Sequence, residues 1–151
     1  EQVDRYLEAM KQEYSLRWDE KTQPYEGIPE LLDRLKEMGI KTAVLSNKPH
    51  EFTKLTISRI LSRWEFDAVL GERPSVPRKP DPAGALEIVR LLGLSPDEFL
   101  YVGDTGTDME TACAAGIYAV GALWGFRKAD ELLAAGAKKL IAVPGELLGL
   151  F

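Results

Sequence analysis

Three short polar clusters in this chain combine the residue types needed to hold an oxyanion beside a hard cation. Ser46-Asn47-Lys48-Pro49 follows the apolar run Lys41–Leu45. A hydroxyl and the N–H groups opening a following helix form a donor set for phosphate oxygens. The second cluster is Arg78-Lys79-Pro80-Asp81-Pro82. Here Lys79 can act as a compact positive charge that neutralises phosphate and orients a carboxylate. In the third, Asp104 and Asp108 stand four residues apart around Gly106, after the apolar run Phe99–Val102. Two such carboxylates can converge on one divalent cation through oxygen ligands. The Asp/Asn spacing and closing Glu of a calcium loop are absent.

Each cluster also has a purely structural reading. Ser46 can cap a helix ahead of Pro49, and Asp81 can cap one with Pro82 at its first position. Lys79 can be a solvated surface charge. Asp104 or Thr105 can cap a helix whose first turn holds Asp108, where a negative charge suits the helix dipole.

The elements that must position these clusters alternate along the chain. Helical periodicity covers Ile28–Met38, Phe52–Trp64, Ala83–Leu92, Thr107–Ala115 and Ala129–Ala135. Between them, short apolar runs predict strands at 41–46, 66–70, 99–103, 117–123 and 139–143. The stretch Gly71–Pro82, with four prolines, reads as a loop. Strict alternation of this kind predicts an α/β fold: a doubly wound, Rossmann-like parallel sheet with right-handed crossovers. Ligands of such sheets bind beyond the carboxyl ends of the strands, where all three clusters fall. Residues 1–23 carry a helical period and a polar linker that do not fit the alternation. They predict a separate helical module, with the α/β domain spanning 24–151.

A net charge of -5 leaves no basic stripe to displace counterions, which excludes a nucleic-acid partner. It does not exclude a small anion held by backbone N–H groups, one Lys and a metal. The single cysteine, Cys113, cannot form a disulfide within the chain and points to a reducing cytoplasm. No apolar run approaches the roughly 18 residues of a membrane span.

The order of the clusters is more specific than any one of them. Ser46-Asn47 after a strand, Lys79 in Lys-Pro-Asp-Pro, and Gly103-Asp104-x-x-x-Asp108 after another strand resemble the second, third and fourth motifs of the haloacid dehalogenase superfamily. The likeness runs from about Tyr25 to the C-terminus, and residues 1–23 resemble the end of that superfamily's helical cap. Trp124-Gly125-Phe126-Arg127, Glu131-Leu132 and Ala135-Gly136-Ala137 look similar to phosphoglycolate phosphatases and their relatives.

The resemblance implies a Mg²⁺-dependent phosphomonoester hydrolase working through an aspartyl-phosphate. Its substrate would be 2-phosphoglycolate or a similar small phosphorylated metabolite. Ser46 would bind the transferring phosphoryl group, aided by the backbone at Asn47, and Lys79 would offset charge on nucleophile and phosphate. Asp104 would bind Mg²⁺ directly, and Asp108 directly or through water. The Ser46-Asn47-Lys48 wording favours a phosphatase over a sugar-phosphate mutase, and the Asp pair speaks against a true dehalogenase.

One feature of the superfamily is missing: no Asp-x-Asp occurs in the chain. In the superfamily its first Asp is the nucleophile and its second the general acid/base, on the central strand. The expectation is therefore a sheet without its middle and a chain inactive by itself. Alternatives are another capped phosphatase (acting on pyrophosphate, nucleotides or sugars), a non-catalytic phosphate- or metal-binding module, or a plain scaffold. His50 and Arg127 read as surface residues, Cys113 as close-packed in an Ala-rich helix, and Trp124 as a packing residue.

Overall fold

The computed structural model describes residues 22–151 and, before them, Arg5, Glu8, Ala9 and Gln12, all four helical. The rest of the predicted cap remnant lies outside the described residues.

The alternation read from the sequence is present element by element. In order, the elements are α1 (Ile28–Glu37), β1 (Ala43–Pro49), α2 (His50–Ile60), β2 (Ala68–Glu72), α3 (Ala83–Leu92), β3 (Leu100–Gly103), α4 (Gly106–Ala114), β4 (Tyr118–Ala122), α5 (Ala129–Ala134) and β5 (Lys139–Ile141). Two short 3₁₀ segments, Pro96–Glu98 and Pro144–Leu150, are additions to the expected set. Helix α2 starts two residues earlier and stops four residues earlier than its periodicity suggests, because β1 runs on through Pro49.

Every strand pairing is parallel, yet the sheet comes in two parts: β1 with β2, and β3-β4-β5. Among the described residues, β1 and β3 each keep one unpaired edge. A seam thus lies where the resemblance places the absent strand.

Helices hold the two parts together. Leu45 of β1 and Tyr101 of β3 pack against one shared cluster built from Ala85 and Val89 of α3, Met109 and Ala112 of α4, and Leu132 of α5. On the opposite face, Leu31 and Leu35 of α1 pack with Val120, Ile141 and Leu147. Adjacent residues of β4 serve opposite clusters, Ala119 the first and Val120 the second, as the pleat requires. The β3–β5 part is therefore covered on both faces.

Local chemistry sets the element ends near the seam. The Asp81 carboxylate accepts the Ala83 N–H at 2.9 Å at the start of α3, although the N-cap position falls to Pro82, one residue later than expected. The buried Thr53 hydroxyl donates to the carbonyls of Lys48 and Pro49, both at 3.2 Å, tying α2 back onto the end of β1. His50 is more than a surface residue: its Nδ1 accepts the Gly71 N–H at 3.1 Å, clipping α2 to β2.

Candidate functional site

The three clusters meet. At the end of β1 the pairing with β2 slips between Leu45 and Pro49, so Ser46, Asn47 and Lys48 leave the regular ladder. An irregularity of this kind re-aims side chains at a sheet end. The Ser46 hydroxyl accepts the Lys48 N–H at 3.1 Å, forming a tight turn rather than a helix cap. The capping alternative for Ser46 thus gives way, since α2 begins only at His50 with Pro49 before it.

Asn47 grips the loop that carries Lys79. Its amide nitrogen donates to the Lys79 carbonyl at 3.2 Å, and its side-chain oxygen accepts the Lys79 N–H at 3.0 Å. This two-way clasp orders a loop whose Lys79–Pro80 peptide bond is cis. From there the Lys79 ammonium donates to Asp108 Oδ1 at 2.7 Å and to the Leu45 carbonyl at 3.5 Å. Only 14% of the Lys79 side chain and 9% of the Asp108 side chain is exposed, so the pair is a largely desolvated ion pair and not a surface charge. The Tyr101 hydroxyl, 3.3 Å from Asp108 Oδ1, completes a bridge from β1 across the seam to β3.

Asp108 is heavily committed. Oδ1 serves Lys79 and Tyr101, while Oδ2 accepts from the Asp104 N–H, the Thr105 N–H and the Thr105 hydroxyl at 3.2, 3.3 and 2.9 Å. The Thr105 hydroxyl in return accepts the Asp108 N–H at 3.2 Å, closing a capping box at the start of α4. Burial works against ionisation of Asp108. The Lys79 charge and the Thr105 and Asp104 donors outweigh that and hold its carboxyl below the usual carboxylate range. Burial, with the Asp108 charge beside it, pushes the Tyr101 phenol well above its ordinary value.

Gly103 makes the closeness possible, because a Cβ there would fall 2.6 Å from Asp108 Cγ. The structural reading of this cluster is realised as well: Thr105 caps α4 and Asp108 sits in its first turn, alongside its pairing with Lys79.

Asp104 differs. It is half-buried, and its Oδ2 accepts the Phe126 N–H at 3.1 Å. Among the described residues its Oδ1 accepts no hydrogen bond. A free carboxylate oxygen at the end of a strand is the hard donor that Mg²⁺ favours, with waters filling most of the shell. Among the described residues, no three His, Cys, Asp or Glu side chains gather into a complete metal cage. The residues present fit a partial Mg²⁺ site with Asp104 as its direct ligand.

A cleft beside this network is lined by Ser46, Asn47, Arg73, Arg78 and Lys79. Arg73 pairs with Glu87 of α3 and Arg78 with Glu72 at the end of β2, so both charges are engaged by neighbouring elements. Sequence reading gave Tyr101 no role beyond its strand, and the Asp104 contacts of the Trp124–Arg127 segment went unread. The remaining residues fall outside the network: Arg127 pairs with Glu131 on the surface, and Trp124 packs against the Val120–Ile141 cluster. Cys113 is exposed, its thiol 3.5 Å from the Gly136 carbonyl, so its packing is looser than expected.

Comparison with known proteins places this geometry. Residues 1–122 match the family model described as haloacid dehalogenase-like hydrolase. A phosphoglycolate phosphatase of Aquifex aeolicus is 35% identical over 85% of the chain, and the chain spans 60% of that protein's length. One from Mesorhizobium japonicum is 33% identical over 82% of the chain, which covers 54% of it. A solved structure from Lactobacillus delbrueckii, a candidate phosphoglycolate phosphatase, superposes on 97% of the chain with a TM-score of 0.85 and 34% identity. The chain covers 61% of that structure. A haloacid dehalogenase-like family protein from Streptococcus pneumoniae shares the fold, at a TM-score of 0.85 and 21% identity over 99% of this chain and 70% of its own.

Proposed function

The chain belongs to the haloacid dehalogenase-like hydrolases, and we propose that it supplies the phosphate-binding and cation-binding side of a phosphomonoester hydrolase. The observation that carries this reading is Lys79. Its ammonium joins the donor turn at the end of β1 to the carboxylate pair after β3. One positive charge there faces both places where negative charge must be held during phosphoryl transfer.

The roles divide accordingly. The Ser46 hydroxyl and the Asn47 backbone receive the phosphoryl oxygens, and Lys79 offsets their charge together with that of the attacking carboxylate. Asp104 would hold Mg²⁺, which when bound would neutralise charge developing on the transferring group. Asp108 pairs with Lys79 and keeps the Asp104 loop in shape, and would reach the cation directly or through water.

The reaction needs a nucleophile this chain lacks. In a protein of the relatives' length, a strand bearing Asp-x-Asp fills the seam between β1 and β3. The oxygen of its first carboxylate bonds to phosphorus as the ester P–O bond breaks, and its second carboxyl protonates the departing alkoxide. Water then attacks phosphorus as the second carboxylate takes its proton, and the acyl-phosphate P–O bond breaks, releasing inorganic phosphate and restoring both carboxyl groups. The 151-residue chain alone is expected to be inactive. The favoured substrate is 2-phosphoglycolate, since the likeness to enzymes of that name is supported by the Trp124–Arg127 segment.

The test uses the protein at full relative length. Lys79→Ala should lower kcat on 2-phosphoglycolate by about 10²–10³-fold, the size expected for one preorganised charge-stabilising group. Asp104→Asn should remove the Mg²⁺-dependent rate while circular dichroism stays unchanged. Full Mg²⁺-dependent turnover in a folded Asp104→Asn protein would refute the metal role. A substrate panel with pyrophosphate, nucleotides and sugar phosphates decides the substrate.

A further inference from the structure

The segment Trp124-Gly125-Phe126-Arg127 has no part in the chemistry described above, yet it touches Asp104 twice. The Phe126 N–H donates to Asp104 Oδ2 at 3.1 Å. The Gly125 backbone lies flat against the same carboxylate, so close that a Cβ there would overlap it, falling 2.6 Å from Cγ.

The segment is itself well anchored. The N–H of Leu123 donates to the Ile141 carbonyl at 3.0 Å. Trp124 packs into the cluster of Val120, Ile141, Leu31 and Leu147, where two of those side chains are fully sealed from solvent. By contrast the Phe126 ring is 83% exposed, so core packing does not account for the loop's course.

We infer that this loop is a seat for the metal carboxylate, with Gly125 and the Phe126 N–H as positioning groups for Asp104. The inference rests on the reading of Asp104 as the cation's direct ligand. The physical argument is one of pre-payment in orientation. A free aspartate samples several rotamers and must be fixed before it can ligate. With Oδ2 held by a backbone donor and its flank pressed on a glycine, the rotamer is set in advance. The remaining oxygen, Oδ1, is left for the cation. The arrangement repeats the one opposite, where Gly103 makes room for Asp108 and backbone N–H groups hold one of its oxygens. Each carboxylate of the Gly-Asp-x-x-x-Asp motif thus has a glycine beside it. Gly103 lies inside the motif; Gly125 lies on the next strand's exit, 21 residues after Asp104.

The test is metal binding by the ¹⁵N-labelled chain itself, without turnover. Mn²⁺ should broaden the Asp104 and Phe126 amide resonances, and Mg²⁺ should shift them. Gly125→Ala inserts the colliding methyl; Phe126→Pro deletes the donor and stiffens the backbone without adding a Cβ at 125, and amide spectra away from the loop that overlay the parent's show that each variant is folded. Both should need about tenfold more metal for the same effect, as expected on losing one hydrogen bond to a charged group. Their thermal midpoints without metal should stay close to the parent's, which a purely structural role would not allow. Unchanged metal affinity in either folded variant overturns the seat. Absence of any effect near Asp104 in the parent chain overturns the reading of Asp104 as ligand, and the seat with it.

Discussion

Strands β3–β5 lie against a core in which Met109, Ala112, Ala119, Val120, Leu132 and Ile141 are entirely sealed from solvent, whereas no residue of β1 is fully buried. The two parts carry different halves of the chemistry. On the β3 side, Asp104 and Asp108 are fixed by a capping box, two glycines and the loop after β4. On the β1 side, Ser46 and Asn47 sit on a strand with one bare edge, joined to the rest through the Lys79 loop. The carboxylate half is finished within this chain. The phosphate half is complete in residues but lacks a neighbour for its strand, so the Lys79–Asp108 ion pair adds to the shared apolar cluster in coupling the two.

That contrast can be broken most forcefully at Asp108. Asp108→Ala leaves the buried Lys79 ammonium without its partner and removes the carboxylate half of the capping box of α4, while the Thr105 hydroxyl still accepts the N–H of residue 108. Breaking a buried pair in this way costs about 3–5 kcal/mol. Urea unfolding should report a loss of that size, and amide exchange should rise most in β1 and β2. An unchanged midpoint would mean that the two parts do not depend on this pair.

A smaller effect sharpens the same point. Folding lowers the pKa of Asp108, so the unfolded chain takes up its proton at a higher pH than the folded one. Its contribution is therefore complete above the ordinary carboxylate value of about 4 and is lost as pH falls below it. Stability should fall on acidification past that point, and Asp108→Asn should flatten the slope. An equally steep acid limb in the variant would assign it to other carboxylates.

The sequence was most legible where the signal is local. The span of α3 follows from its apolar period, with the Asp81 carboxylate holding the N–H of its first residue, Ala83. The seam was foreseeable because Asp-x-Asp is a contiguous pattern whose absence can be read directly. What escaped notice depends on contacts distant along the chain. The Asn47–Lys79 clasp joins residues 32 apart, and the Phe126–Asp104 bond joins residues 22 apart. His50 looked like a surface residue because its acceptor role toward Gly71 arises only once β2 lies beside α2. Asp108 shows how two readings can hold together: a first-turn residue by local pattern is also the partner of Lys79 by fold.

The central claim is that Ser46, Asn47, Lys79 and Asp104 form one site for phosphate and a divalent cation. Its most direct measurement is an amide-resolved NMR titration of the chain with inorganic phosphate in the presence of Mg²⁺. The account predicts that amides of Asn47 and Lys79 on one side, and Asp104 and Thr105 on the other, move together along one shared binding curve. Shifts confined to one side, or scattered over surface lysines such as Lys54 and Lys128, would contradict it.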